Sequence, residues 1–354
     1  MESKPALSVI VILVGALGFL ACALTPWLWW PFLLSIAFLG YELLTGRIDL
    51  ALKGIHQGVD QLTPTDSTKA IEPDRPVLGP YITQGHSYFT HKQYELAISE
   101  YTKAIELDPK NTLAYSLRGL TYISLKQFEN AITDYTKAIE IDPELARFYF
   151  NRGDAYQESH RNELAIKDYN KAIELDPKLA DAYNSRGATY ANLNLYKLAI
   201  TDYTKAIEID PKLARFYFNR GLAYGQLEQY EKAIRDCTIA IELDPKDDTD
   251  RYDTAYRLRG ECHCLLEQYE KAITDYNQAI DLHPKDATAY ISRGKAYANL
   301  EHYEKAITDY NQAIDLHPEE PEAYFLRGNA FLKLGKMEEA DESWVMAKML
   351  EGED

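Results

Sequence analysis

The stretch Ala199–Pro211, AITDYTKAIEIDP, recurs unchanged at Ala131–Pro143, and close variants of it follow at regular places along the chain. The variants begin at Ala97, Ala165, Ala233, Ala272 and Ala306. The prolines that close the copies lie 34 residues apart, except between Pro245 and Pro284, where the spacing is 39. A period of this length is typical of stacked helical hairpins, so the sequence predicts a repeat array.

When the units are aligned on these prolines, the same residue types return at six places. Counted from the first residue of a unit, an aromatic stands fourth, Gly eighth, an aromatic eleventh, Ala twentieth, an aromatic twenty-fourth and Ala twenty-seventh, and only Cys237 and His263 replace an aromatic. Steps of three, four and seven place these residues on one face of each helix. We expect Gly opposite Ala to let two helix backbones approach closely, with the aromatics filling the space around them. Proline then ends the second helix, because the residue before proline disfavours the helical conformation.

This pattern resembles that of the tetratricopeptide repeat (TPR) family and recurs eight times over Leu78–Glu351. The resemblance implies an all-α fold: a right-handed superhelical solenoid of stacked antiparallel helix pairs. We number the predicted repeats as units one to eight, at 78–111, 112–145, 146–179, 180–213, 214–247, 253–286, 287–320 and 321–354. One hairpin cannot bury its apolar face alone, so neighbouring units must stack.

Two places depart from the period. The extra residues between units five and six lie in KDDTDRYD, whose carboxylates are Asp247, Asp248, Asp250 and Asp253. This segment lacks the Gly and the distal Glu of a calcium loop, so we interpret it as a solvated loop. We expect no separate polar capping helix after unit eight. Its last helix therefore caps the stack itself, or contacts a partner through Trp344, Met346 and Met349.

Two uncharged apolar runs, Leu7–Leu24 and Trp27–Tyr41, precede the array. Each is close to the lower limit of about 17 residues for a membrane-spanning helix. Two such runs in succession favour a transmembrane helical hairpin within residues 1–46, with spans near 7–24 and 27–44, over a signal peptide. A lipoprotein cleavage site at Cys22 would leave the second run unexplained.

The cations flanking the two spans predict the topology. Lys4 precedes the first span, while Arg47 and Lys53 follow the second, which favours placing both ends in the cytoplasm. We therefore predict an integral membrane protein of a bacterial inner membrane, or of another cytoplasm-facing membrane, whose TPR domain is cytoplasmic.

Residues 47–77 connect this hairpin to the array. Apolar residues form one stripe of a short helix, at Ile48, Leu52, Ile55, Val59 and Leu62. This helix could lie on the membrane surface, pair with another copy, or pack on the first repeat, and the sequence favours none of the three. The Pro-rich segment TPTDSTKAIEPDRPVLGP that follows is typical of a tether.

Composition and motifs exclude several classes of function for this protein. A net charge of −17 repels a phosphate backbone, so we predict that nucleic acid is not a partner. The four cysteines form no disulfide framework. Cys262 and Cys264 flank His263, but residues two apart on a helix point about 200° from each other and cannot share a tetrahedral metal ion. We read His263 as a core substitution, predict no cofactor or metal, and find no catalytic motif, which predicts that the protein is not an enzyme.

A charged pair recurs within the repeat. Arginine stands seventh in seven units, at Arg118, Arg152, Arg186, Arg220, Arg259, Arg293 and Arg327. Aspartate stands twenty-third in six, at Asp134, Asp168, Asp202, Asp236, Asp275 and Asp309. A ligand site would not need the same pair in six units, so we predict a structural ladder of ion pairs between helices.

The resemblance also places six positions of each first helix in a concave groove. In units three to five these supply the candidate peptide-binding residues Arg147, Phe150, Asn151, Asp154, Asn184, Asn192, Arg215, Phe218, Asn219 and Gln226. Asn side chains can both donate to and accept from a main chain of any sequence, and Phe and Arg are common interface anchors. The alternative is that the two Phe residues only pack on adjacent helices. A clamp for a terminal carboxylate, known in family members that bind chaperone tails, is not predicted, because Ser116, Leu120 and Asp181 do not complete the set beside Asn151.

These observations predict a membrane-anchored scaffold for protein–protein interaction, or a chaperone-like assembly adaptor, that binds peptide segments in its groove. Two alternatives stay open: an exported periplasmic or host-directed adaptor with a processed signal, and a regulatory subunit of a membrane enzyme. The predicted partners are one or more unidentified proteins or peptides, with the membrane contacted through the hairpin and a homo-oligomer possible.

Overall fold

The computed structural model describes residues 78–243 and 251–352, with only the backbone described for 251–253. The predicted transmembrane hairpin, the segment 47–77 and the acidic loop 244–250 lie outside the described residues. Among the helices that are described, none has the length and apolar character needed to cross a membrane.

Over these residues the backbone forms sixteen α-helices and no strands. The first helices of the eight units are α1 (Gly79–Thr90), α3 (Thr112–Ser124), α5 (Ala146–Glu158), α7 (Ala180–Asn192), α9 (Ala214–Gln226), α11 (Arg251–Leu265), α13 (Ala287–Asn299) and α15 (Pro321–Lys333). The second helices are α2 (Tyr94–Leu107), α4 (Phe128–Ile141), α6 (Asn162–Leu175), α8 (Tyr196–Ile209), α10 (Tyr230–Leu243), α12 (Tyr269–Leu282), α14 (Tyr303–Leu316) and α16 (Met337–Glu351). Each first helix packs on the second helix of its own unit, and that helix packs on the first helix of the next unit. The predicted all-α fold of stacked helix pairs is confirmed.

The helix pairs are held by a buried layer of alanine, glycine and tyrosine. A Cβ built on Gly294 would lie 2.5 Å from Cε1 of Tyr310, the twenty-fourth residue of the same unit. In unit eight the Cβ of a residue at Gly328 would also come within 3.1 Å of the Ala340 carbonyl oxygen. The predicted close approach at glycine is therefore confirmed, but the tyrosine ring, more than the alanine, is what excludes a side chain.

Each hairpin turn contains one residue in the left-handed region. Seven of these are not glycine, with φ between 57° and 60°: Lys92, Lys126, His160, Asn194, Glu228, Glu267 and Glu301. In unit eight the residue is Gly335. The turn closes with two backbone bonds, in unit two from Lys126 N to Ile123 O and from Gln127 N to Tyr122 O, both 2.8 Å. This turn reverses the chain within three residues, which brings the two helices of a unit together.

The second helix ends where the sequence predicts. Asp142 and Asp210, each directly before a proline, have extended backbones with φ near −134° and ψ near 92°. The proline ring makes the helical conformation unfavourable at the preceding residue. The next first helix starts four residues after each of these aspartates, at Ala146 and Ala214.

Candidate peptide-binding groove

The predicted ladder of arginine and aspartate is confirmed in six units. In unit four, Nε and Nη2 of Arg186 donate to the two carboxylate oxygens of Asp202, each at 2.7 Å. The same bidentate pair occurs as Arg118–Asp134, Arg152–Asp168, Arg220–Asp236, Arg259–Asp275 and Arg293–Asp309. The Asp202 side chain is only 6% exposed, so its charge depends on the arginine for compensation.

The ladder has a second arm that the sequence reasoning missed. Nη1 of Arg186 donates to Oδ1 of Asn170, 2.6 Å away on the second helix of the preceding unit. The acceptors at this place in successive units are Thr102, Thr136, Asn170, Thr204, Thr238, Asn277 and Asn311. The recurrence of Thr or Asn as the twenty-fifth residue was the available signal. Since each guanidinium joins three helices across two units, these arginines serve the fold.

The surroundings of Arg186 favour its charged form. The hydrogen bonds to Asp202 raise the pKa of the Arg186 guanidinium above its ordinary value, against the opposing effect of burial. The guanidinium also lies over the ring of Tyr183, 5.6 Å from its centroid. Each arginine of these six pairs is balanced by its aspartate, so the ladder is a layer of ion pairs with no net charge.

Units three and five offer a direct comparison, because 146–153 and 214–221 share the sequence ARFYFNRG. In unit five, Arg215 forms an ion pair with Asp181 of the preceding unit. Asn219 is buried, and its Nδ2 donates to Oδ1 of Asn184 at 2.9 Å. The ring of Phe218 is buried as well. Arg215, Phe218 and Asn219, three of the four candidate residues of unit five, are therefore occupied within the array.

The matching polar residues of unit three have no such partners. Neither Arg147, which is exposed, nor Asn151, which is half-buried, has a side-chain hydrogen bond or ion pair within the described residues. Leu113 and Ser116 stand where unit four has Asp181 and Asn184. The missing partners lie in the preceding unit, so the same eight-residue segment presents different free groups in units three and five.

Phe150 also differs from its counterpart in unit five. Its side chain is half-buried, with its ring centroid 6.1 Å from that of Tyr169 and the two planes tilted by 44°. The alternative that the two Phe residues only pack on neighbouring helices thus describes Phe218 well, whereas Phe150 keeps an exposed part beside Asn151.

Tyr169, which contacts the Phe150 ring, belongs to a buried polar network. The hydroxyl of Tyr169 donates to Oδ1 of Asp154 at 2.6 Å and lies 3.0 Å from Oε1 of Gln157. Thr189 of the next unit donates to the same Gln157 oxygen at 3.0 Å. The candidate Asp154 therefore orients a core tyrosine, and Gln157, which the sequence reasoning missed, joins units three and four.

The equivalent tyrosine of unit two has no such network. Tyr135 is fully buried, and its hydroxyl has no hydrogen-bond partner within the part of the chain that is described. Leu120 and Ile123 occupy the places that Asp154 and Gln157 hold in unit three. The hydrogen-bond network around the core tyrosine of unit three is therefore missing from unit two.

Two further candidates, Asn192 and Gln226, lie at the ends of α7 and α9. Neither side chain makes a hydrogen bond within 78–243 and 251–352. Together with Arg147 and Asn151, they are the predicted groove residues whose polar groups are free. Whether these four bind a peptide stays a prediction.

In units six to eight the corresponding charges compensate one another. Nη1 of Arg257 lies 3.5 Å from Glu261 Oε1, and its Nε lies 3.8 Å from Oδ2 of Asp286. Lys295 and Glu322 form an ion pair at 2.6 Å. All of these groups except Asp286 stand at groove positions that the sequence reasoning did not single out. Because they pair with one another, the carboxy-terminal units offer fewer free groups than unit three.

The histidine and cysteine positions belong to the core. His263 is buried where other units have an aromatic, as predicted, and its Nδ1 lies 3.0 Å from Oε1 of Gln268. Burial lowers the pKa of His263 and raises the pKa of the Cys262 thiol to about 12. Within the described residues, no group of histidine, cysteine and carboxylate side chains is arranged to hold a metal ion.

Family models support what the repeat geometry indicates. A TPR repeat model matches residues 85–126, 119–160, 158–194, 260–301 and 300–335, and a tetratricopeptide repeat model matches 180–213 and 214–247. The chain belongs to the tetratricopeptide repeat family. TPR proteins mediate protein–protein interactions and bind peptides, and their stacked repeats typically form non-catalytic scaffolds.

Several solved structures of repeat proteins are similar to this chain. A tetratricopeptide repeat protein from Parabacteroides merdae is 20% identical over 76% of this chain and 98% of its own, with a TM-score of 0.51. A chain in the crystal structure of the APC/C hetero-tetramer Cut9–Hcn1 is 18% identical over 82% of this chain and 55% of its own, also with a TM-score of 0.51. YrrB, a TPR protein with an unusual peptide-binding site, is 29% identical over 53% of this chain and 95% of its own, with a TM-score of 0.47. None of the curated protein sequences matches this chain.

Proposed function

We propose that this protein is a membrane-anchored TPR scaffold that binds an extended peptide segment of a partner protein, with unit three as the centre of the groove. The observation that carries the proposal is the half-buried amide of Asn151. It has no hydrogen-bond partner within the described residues and lies one helical turn from the unpaired guanidinium of Arg147.

The chemistry of this surface favours a particular kind of peptide. An amide can accept from one main-chain N–H and donate to one main-chain carbonyl, so Asn151 suits an extended backbone. The unpaired Arg147 favours a carboxylate side chain one turn away, because a charged hydrogen bond to guanidinium is stronger than a neutral one. The exposed part of Phe150 would receive an apolar side chain. We therefore infer a segment that carries an acidic residue close to an apolar one.

The shared ARFYFNRG sequence supplies a matched pair of variants. Arg147→Ala with Asn151→Ala removes the free groups of unit three, and we expect at least tenfold weaker recovery of the partner without a change in thermal midpoint. Arg215→Ala with Asn219→Ala removes the paired groups of unit five. We expect this variant to have a lower thermal midpoint of unfolding. At temperatures below that midpoint it should still recover the partner as well as the unaltered protein does.

Recovery is best measured with a photo-reactive amino acid at position 150 of the full-length protein. The crosslinked segment is then identified by mass spectrometry. Equal crosslinking by the unit-three variant and the unaltered protein would remove the groove proposal. Crosslinked peptides without an acidic residue near the attachment point would remove the proposed peptide class.

The membrane part of the proposal is supported by the two apolar runs, Leu7–Leu24 and Trp27–Tyr41, and by the cations that flank them. A cytoplasmic array resists protease added to intact spheroplasts and is digested after lysis. Digestion in intact spheroplasts would instead favour the exported adaptor. Loss of one enzyme's activity when residues 1–46 are removed would favour the regulatory subunit.

A further inference from the structure

The last described helix, α16, differs from every other second helix at two of the places that meet the next unit. In units one to seven the twenty-first and twenty-eighth residues are isoleucine. In unit seven these are Ile307 and Ile314, each 9% exposed, which pack on α15. In unit eight they are Asp341 and Lys348, both exposed. The face that elsewhere carries the next hairpin thus has one negative and one positive charge.

Two exposed apolar side chains accompany these charges: Val345 lies between Asp341 and Lys348, and Met349 directly follows Lys348. Val345 is 55% exposed and Met349 is 67% exposed. In units two to four the place of Met349 holds a glutamate that pairs with a lysine, as in Lys137–Glu140. A helix that only capped the stack would need a polar outer face. The exchange of a solvated ion pair for methionine therefore indicates that something covers α16.

The order of the two charges along α16 indicates which kind of partner covers this face. Asp341, Val345 and Lys348 follow one another at steps of four and three, so they form one stripe. The charges are about 10 Å apart along the helix, from the rise per residue, which is too far for them to pair with each other. Neither has an ionic partner within the described residues. A second helix laid antiparallel on this stripe brings each aspartate opposite a lysine, with the valines near the centre.

We propose that α16 is a homodimer interface, in which two copies of this chain meet about a two-fold axis beside Val345. Asp341 faces Lys348 of the partner subunit, and Lys348 faces Asp341 of the partner subunit, as a self-complementary surface requires. Trp344 does not take part, because its indole packs on Gly328 and its Nε1 donates to Oδ1 of Asn329 at 3.2 Å. One helix on one helix is a small interface, so the dimer is reversible.

Disulfide trapping in the full-length protein tests this arrangement. Residues at a two-fold axis bring their Cβ atoms close enough for a disulfide, so Val345→Cys forms a covalent dimer on mild oxidation. Glu208→Cys, exposed on the second helix of unit four, is the matched control, and the unaltered protein reports the background from native cysteines. We expect at least fivefold more dimer from the first variant than from the second. Equal yields would overturn the proposal.

Charge reversal tests the pairing itself in the Val345→Cys background. Asp341→Lys or Lys348→Asp alone places like charges opposite each other twice, and we expect at least fivefold less dimer. The double reversal restores both pairs with opposite sign, so the yield returns to within about twofold. A double variant as poor as the single ones would also overturn the proposal. Thermal midpoints of all variants confirm folding, since neither charge has a partner in its own subunit.

Discussion

Arg186 and Asp202 form a bidentate ion pair between α7 and α8, with both N–O distances at 2.7 Å. The third nitrogen of the guanidinium donates to Asn170 of the preceding unit. One side chain thus joins the two helices of its unit and holds that unit on its neighbour. Because the pair recurs in six units, it sets both the hairpin and the stacking step along the array.

Removing this arginine should be costly. Arg186→Leu leaves the buried Asp202 carboxylate without its counter-charge, and we expect the free energy of unfolding to fall by about 3–5 kcal/mol. The double variant Arg186→Leu with Asp202→Leu should recover part of this loss, because no isolated charge stays buried. Urea denaturation followed by circular dichroism measures both.

Arg327 is the control for this prediction. Its Nε donates to the neutral Ser343 at 3.2 Å, where other units have aspartate. Arg327→Leu leaves no buried charge, so we expect a loss of about 1 kcal/mol. Similar losses for Arg186→Leu and Arg327→Leu would show that the aspartate charge is not what makes the arginine necessary.

Alanine at the eighth place should reveal the role of the tyrosine ring. A Cβ at Gly294 would meet the Tyr310 ring at 2.5 Å, so Gly294→Ala should destabilise the protein by about 1–3 kcal/mol. In unit five the nearest atom to such a Cβ is Cys237 Sγ, at 3.3 Å. Gly221→Ala should therefore be neutral or stabilising by up to about 1 kcal/mol, through its helix propensity. We therefore expect a lower thermal midpoint for Gly294→Ala than for Gly221→Ala, and the reverse order would contradict the role assigned to the tyrosine ring.

The hairpin turns offer a route to a more stable array. Glu228 adopts φ 59°, a conformation that costs an L-residue about 1–2 kcal/mol. Glu228→Gly removes this cost but gives the unfolded chain more freedom, so we expect a net gain of about 0.5–1 kcal/mol. Gly335→Ala makes the reverse change at φ 75° and should destabilise. A gain from both substitutions would contradict this explanation.

His263 should make stability depend on pH. Burial keeps its pKa below the value of about 6.5 expected for an unfolded chain, against smaller effects of Gln268 and Asp275. As the pH falls below that value, the unfolded state binds the proton first, so the free energy of unfolding decreases.

His263→Tyr should flatten this decline. Other units have tyrosine at this place, as in Tyr224 beneath the Arg220 guanidinium, 5.9 Å from the ring centroid. We expect a gain of about 0.5–1 kcal/mol at neutral pH from the same contact with Arg259. Urea titrations at pH 7.5 and 5.5, each compared with the unaltered protein, measure both effects. An unchanged difference between the two pH values would exclude His263 as its source.

Much of the fold could be predicted because the relevant contacts lie within one period. The Arg–Asp pairs are always 16 residues apart, and the proline positions mark the ends of the second helices. The second arm of the ladder could also have been found from the Thr or Asn at the twenty-fifth place. The link from Asn184 to Asn219 could not, because it depends on how two first helices of adjacent units are placed side by side.

The sequence by itself determined the helices, their pairing and their stacking, because residue types repeated at steps of three, four and 34 leave each unit one way to bury its apolar face. It could not determine which groove residues are free. The segments 146–153 and 214–221 have the same eight residues. Yet Arg215 and Asn219 are paired while Arg147 and Asn151 are not. The tertiary structure decided this, because the partners of these side chains come from the preceding unit, where Asp181 and Asn184 are replaced by Leu113 and Ser116.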